Sequence, residues 1–211
     1  MDLFLYVFAA LFSVINPLGT VPVFVGLTSD ESLKERGKTA FFTSLNVIVI
    51  LTISFFMGTY ILAFFGISLN ALRIAGGMII VTSGFALLTG NFSKHKGMKN
   101  KKVQKDLDSR EKFSLTPLAI PMLAGPGSIS LLIAFNQEYI EPSAIVTIVL
   151  AVITVGLATY LILKSSFLIS KILGASGINA ISRIVGFIVI AIGIEYITTA
   201  VVSVVNSLNL G

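Results

Sequence analysis

The charged residues of this chain are confined to a few short stretches, and the windows between them are long enough to cross a lipid bilayer. Residues 3–29, 39–72, 74–93, 113–137 and 142–163 carry no Asp, Glu, Lys or Arg, and residues 184–211 carry only Glu195. A helix that crosses the hydrocarbon core needs about 20 predominantly apolar residues. With no water to bond to, its backbone must satisfy itself, which makes each window a helix. Only 12% of the residues are charged, about half the share in a soluble domain. The expected fold is therefore an all-α polytopic membrane protein, with six spans at about residues 3–27, 40–64, 71–91, 115–136, 143–165 and 182–204.

The basic residues give the expected orientation. All 15 lysines and arginines except Arg73 fall between the first and second, third and fourth, or fifth and sixth spans, or at the facing ends of those spans. Cytoplasmic loops carry the excess of Lys and Arg, so both termini are expected outside the cytoplasm and the run from Lys94 to Lys112 inside it. The net charge of +5 thus reports orientation rather than nucleic-acid binding. The N-terminus has no basic stretch before its apolar run, so the first span is expected to stay in the mature fold. The chain has no cysteine, which excludes disulfides, thiolate metal sites and cysteine nucleophiles.

The two halves echo one another. A shift of 109 positions lays Pro17 on Pro126, Asn70 on Asn179, Gly77 on Gly186, Gly84 on Gly193 and Thr89 on Thr198. Three spans per copy is an odd number, so the second copy must be upside down. The expected organisation is a first three-helix repeat (residues 1–92), a basic cytoplasmic linker (93–114) and a second, inverted repeat (115–211). Transporters recurrently use inverted repeats, with the site where the repeats meet near the middle of the membrane. Gly77 with Gly84, and Gly186 with Gly193, each share a helix face, and their expected role is close helix packing.

Proline and glycine interrupt the first and fourth spans at matching places, around Asn16-Pro17-Leu18-Gly19-Thr20 and Gly125-Pro126-Gly127-Ser128. Proline removes a helical hydrogen bond and clashes with the preceding turn. A broken helix offers free N–H groups and a positive dipole end where it restarts, and free carbonyls where it stops. Two such breaks suit the carboxylate and ammonium of a zwitterionic amino acid without burying a formal charge. The candidate substrate-binding residues are Asn16, Pro17, Gly19, Thr20, Gly125, Pro126, Gly127 and Ser128, with Ser130 beside them. Asn46, with Thr43 and Ser44, either lines the path or bonds to a neighbouring helix. Glu195 is the one ionisable residue deep within an expected span, where a carboxylate is costly. It is a candidate for binding a coupling H⁺ or Na⁺, or else it reaches the outer interface.

The Asn-Pro-Leu-Gly motif at residues 16–19, the Gly-Pro-Gly motif at 125–127 and the six-span layout resemble the MarC family of integral membrane proteins. Its members include the SnatA small neutral amino-acid transporters. The resemblance covers nearly the whole chain and implies transport of glycine, alanine and similar solutes, coupled to an ion gradient, in a prokaryotic inner membrane. It implies no cofactor beyond the coupling H⁺ or Na⁺. The alternative is a channel or scaffold subunit without saturable transport. An intramembrane enzyme is disfavoured, because the spans hold one Glu, no Cys and no His. No nucleotide-binding phosphate loop is present.

Overall fold

A computed structural model describes residues 2–89, 119 and 123–209. The linker at 93–114 and most of the first half of the expected fourth span lie outside the described residues. Those described form helices α1 (Leu3–Ile15), α2 (Pro17–Leu27), α3 (Leu33–Phe65), α4 (Leu69–Leu88), α5 (Pro126–Glu138), α6 (Pro142–Lys164) and α7 (Ser166–Asn209). Among the described residues there is no strand. Five segments are long and apolar enough to span a membrane: Leu3–Leu27, Leu33–Phe65, Leu69–Leu88, Pro142–Lys164 and Ser176–Ser207. They match five of the six expected spans. Within the remaining one, the fourth, α5 has 13 residues and measures about 20 Å, short of the roughly 30 Å hydrocarbon core.

Two boundaries differ from expectation. Helix α3 starts at Leu33 rather than near residue 40, because Ser32 and Glu35 form a reciprocal capping box. That box satisfies the first amides and carries the helix out past the apolar window. The stretch at 166–181, expected as a loop, is helical and forms the first part of α7, kinked at Gly174, whose φ of 60° is open to glycine.

Two helix pairs frame the bundle. In the first, α4 and α7 run antiparallel with their backbones nearly touching. A Cβ on Gly77 would lie 2.7 Å from the Gly193 carbonyl oxygen, and one on Gly193 would lie 2.8 Å from the Gly77 oxygen. Gly84 and Gly186 repeat the arrangement, each 2.8 Å from the other's carbonyl. In lipid, where association rests on packing rather than the hydrophobic effect, such small residues are what let helices close up. In the second pair, Gly156 of α6 receives Ile48 of α3, and Phe41 meets Tyr160 edge-on at 6.1 Å.

Helix α5 lies within this frame. Every residue from Leu131 to Phe135 is buried, so no face is left for lipid. Gly76 of α4 makes room for Ser130, and Gly58 of α3 makes room for Ile133. Helices α1 and α2 complete the core with Val7, Leu11, Ile15, Val21 and Phe24. The outward sides of α3, α6 and α7 carry Phe56, Phe64, Leu157, Leu161, Phe187 and Val202, all exposed as a lipid-facing surface requires.

The glycine contacts make a prediction with opposite signs at two sites. Gly84→Ala puts a methyl against the Gly186 carbonyl and should destabilise by about 1–3 kcal/mol. At Gly26 an added Cβ would meet no atom within 4 Å, so Ala there should be tolerated or gain up to about 1 kcal/mol. Thermal unfolding of the two variants in one detergent compares them directly.

Candidate functional site

The first break is centred on Asn16. Its φ of 47° and ψ of 66° are left-handed, and among the described residues it is the single non-glycine with positive φ. This conformation costs most residues about 1–2 kcal/mol, and asparagine tolerates it best. Asn16 ends one helix and starts the next. Its amide donates to the Phe12 carbonyl at 2.9 Å, and its side-chain Oδ1 accepts from the Gly19 amide at 3.2 Å. Pro17 follows at the first helical position, where its missing N–H leaves nothing unsatisfied. A Cβ on Gly19 would meet the Asn16 carboxamide, so glycine leaves that side chain free to close the cap.

The second break has different chemistry. Ala124 donates to the Ala119 carbonyl at 2.8 Å, a turn one residue wider than α-helical. Gly125 is then extended, and Pro126 opens α5. Gly125 has no side chain to cap with, so the first amides of α5 gain no cap from it. The Ser128 hydroxyl donates back to the carbonyls of Gly125 at 3.0 Å and Leu123 at 3.4 Å.

The two breaks adjoin. A Cβ on Gly127 would lie 3.4 Å from Val14 Cγ1 and 2.8 Å from Ile80 Cγ1. The start of α5 therefore sits against the last turn of α1 and the middle of α4. Asn16, Pro17, Gly19, Thr20, Gly127 and Ser128 are buried, Gly125 is half-buried and Pro126 exposed. Thr20, Ser128 and Ser130 turn their hydroxyl hydrogens onto nearby backbone carbonyls. The Asn16 amide nitrogen Nδ2 does not: it is buried and has no hydrogen-bond partner among the described residues.

Other polar groups are more widely placed. Asn46 is half-buried on α3. The neighbouring Thr43 and Ser44 hydroxyls are buried without partners, as is Ser166 at the start of α7. Helical hydroxyls in this chain usually return to the carbonyl one turn back, as Thr28, Ser54, Thr147, Thr154 and Thr159 do. Glu195 is exposed on α7, two residues past Gly193. Ser166 carried no signal in the sequence. Among the described residues, no group of three His, Cys, Asp or Glu is placed to hold a metal ion.

Apolar spans around a buried, unpartnered polar group at a helix break define a multi-pass α-helical membrane protein with an internal polar site. The sequence matches the MarC family of integral membrane proteins over residues 1–205. It is 37% identical to a membrane protein of Buchnera aphidicola from Acyrthosiphon pisum, over 95% of this chain and 93% of that one. It is 36% identical to the membrane protein YhcE of Escherichia coli K12, over 92% and 89% of the two chains. With the inner membrane protein MarC of Salmonella typhimurium it shares 30% identity over 98% and 99%. No solved structure matches the chain. The chain belongs to the MarC family.

The double role of Asn16 is testable by stability alone. Asn16→Ala removes the cap and strains the left-handed backbone, and should destabilise by about 1–2 kcal/mol or more. Asn16→Gly relieves the strain and should cost only a few tenths. Thermal melts of the two purified variants should rank in that order.

Proposed function

We propose that this protein is a secondary transporter of small neutral amino acids, holding its substrate where the two helix breaks adjoin. The observation that carries the reading is the Asn16 carboxamide, 3% exposed, with an Nδ2 that finds no partner among the described residues. A buried donor left unpaired is costly, and a substrate acceptor would satisfy it. The uncapped start of α5 adds backbone amides and a positive dipole end for a carboxylate. The carbonyls of the broken turns supply acceptors for an ammonium. Gly19 and Gly127 keep the space free of side chains, which favours a small solute over a bulky one.

The glycine contacts support the inverted-repeat reading. Shifting by 109 positions exchanges Gly77 with Gly186 and Gly84 with Gly193, and so exchanges the contact Gly77–Gly193 with Gly84–Gly186. Reciprocal contacts of this kind are the mark of a two-fold axis. Substrate release to alternate sides would follow from rocking one repeat against the other. The positive-inside pattern puts both termini outside the cytoplasm and residues 93–114 within it, in the inner membrane. The driving force is an H⁺ or Na⁺ gradient, with Glu195 the candidate carboxylate for coupling.

Uptake of labelled glycine and alanine into proteoliposomes under imposed H⁺ or Na⁺ gradients tests the reading. Saturable, gradient-driven uptake is expected for the unaltered protein. Gly127→Leu, whose side chain would collide with Ile80 and Val14, should abolish it. Asn16→Gly keeps the backbone and should raise KM about ten- to a hundredfold, the loss of one hydrogen bond to a charged group. Unsaturable flux would instead indicate a channel, and no flux from folded protein a scaffold.

A further inference from the structure

Arg73 is the lone basic residue on its side of the charge pattern, and neither helix break uses it. It stands on the first turns of α4, and its Nη2 lies 2.8 Å from Oε2 of Glu138, the last residue of α5. The arginine is the more enclosed partner, with a side chain 14% exposed against 47% for the glutamate. One turn back from Glu138, Phe135 is buried. It meets Tyr6 of α1 edge-on at 5.8 Å and Tyr139 at 6.1 Å. A further turn in, the Tyr196 hydroxyl of α7 donates to the Leu131 carbonyl at 3.4 Å. The C-terminal half of α5 is thereby tied to α1, α4 and α7 together, while its N-terminal end forms the second break.

α1 and α4 both begin on the face where α5 ends, and both run antiparallel to it. Phe135 and Tyr6 meet along α5 between the breaks and that face. We propose that the Arg73–Glu138 ion pair is the latch of a gate on this face, with α5 as the moving part. It is closed in this structure, and it opens when the end of α5 separates from α4. The proposal rests on the transporter reading above. Chemistry suits these residues to such a role, because an ion pair whose carboxylate is half-exposed is screened by water and can part repeatedly. The contact of Phe135 with Tyr6 below it is edge-on, without a hydrogen bond between the rings, so it too can separate without orphaning a donor there.

The chain has no cysteine, so a single thiol can report the gate. Ser128→Cys, 1% exposed at the second break as serine, is labelled with a membrane-impermeant maleimide applied to each face of sealed vesicles in turn. Adding Glu138→Gln should raise the labelling rate severalfold from the face that carries position 138 and leave the other face unchanged or slower. The swapped pair Arg73→Glu with Glu138→Arg should restore the parent rate, whereas Arg73→Glu alone should label faster. An unchanged rate in Glu138→Gln overturns the latch, and so does an equal rise from both faces, which would mean general loosening. A swapped pair that labels as fast as Arg73→Glu alone also overturns it. Labelling needs no transport, so a gated thiol in a protein without uptake would sink the transporter reading and leave the latch standing.

Discussion

Lipid offers an open backbone amide nothing to bond with, and the interior of this bundle nevertheless contains two places where a helix begins, at Pro17 and at Pro126. The first is possible because one residue serves both ends. Asn16 donates its backbone amide to the helix behind it and accepts with its side chain from the helix ahead. Its short amide side chain also makes the left-handed backbone tolerable. The second is settled less completely, since Gly125 has no side chain with which to cap α5. A polar demand is thus concentrated within one small volume of an otherwise apolar molecule. The site follows from that demand.

The surrounding helices hold the breaks together by close approach rather than by polar bonds. Gly77, Gly84, Gly186 and Gly193 bring α4 against α7, and Gly76 and Gly58 admit Ser130 and Ile133 of α5. Gly127 lets the start of α5 settle onto Val14 and Ile80. Each contact depends on a missing Cβ, so shape alone fixes the register of the half-helix. The ion pair at its far end then adds a fastening that is not shape-dependent.

Much of this was legible in the sequence, and the reasons differ from feature to feature. The spans could be read because burying a charge in lipid is costly, so uncharged windows have little freedom of interpretation. The interruption at Asn16 could be read because proline and glycine act locally. The start of α3 could not be read from hydropathy, which stops at the bilayer while the helical ladder continues to Ser32. The helix at residues 166–173 was hidden because the apolar run between Lys164 and Lys171 is too short to register as a span. Hydroxyl direction at Thr20, Ser128 and Ser130 depends on rotamers that no motif encodes. The Arg73–Glu138 contact joins residues 65 apart, and the sequence marked only one of them as unusual.

The paired glycines of α4 and α7 have a mechanical consequence. Beyond each Gly–Gly contact, the facing position is filled by a branched side chain, Ile197 at Gly77 and Ile190 at Gly84. Sliding either helix along the other would drive these side chains into backbone, so the pair resists translation. Tilting about the contact line displaces them far less. Rotation about that contact line is therefore the rearrangement that best preserves the packing of the two helices.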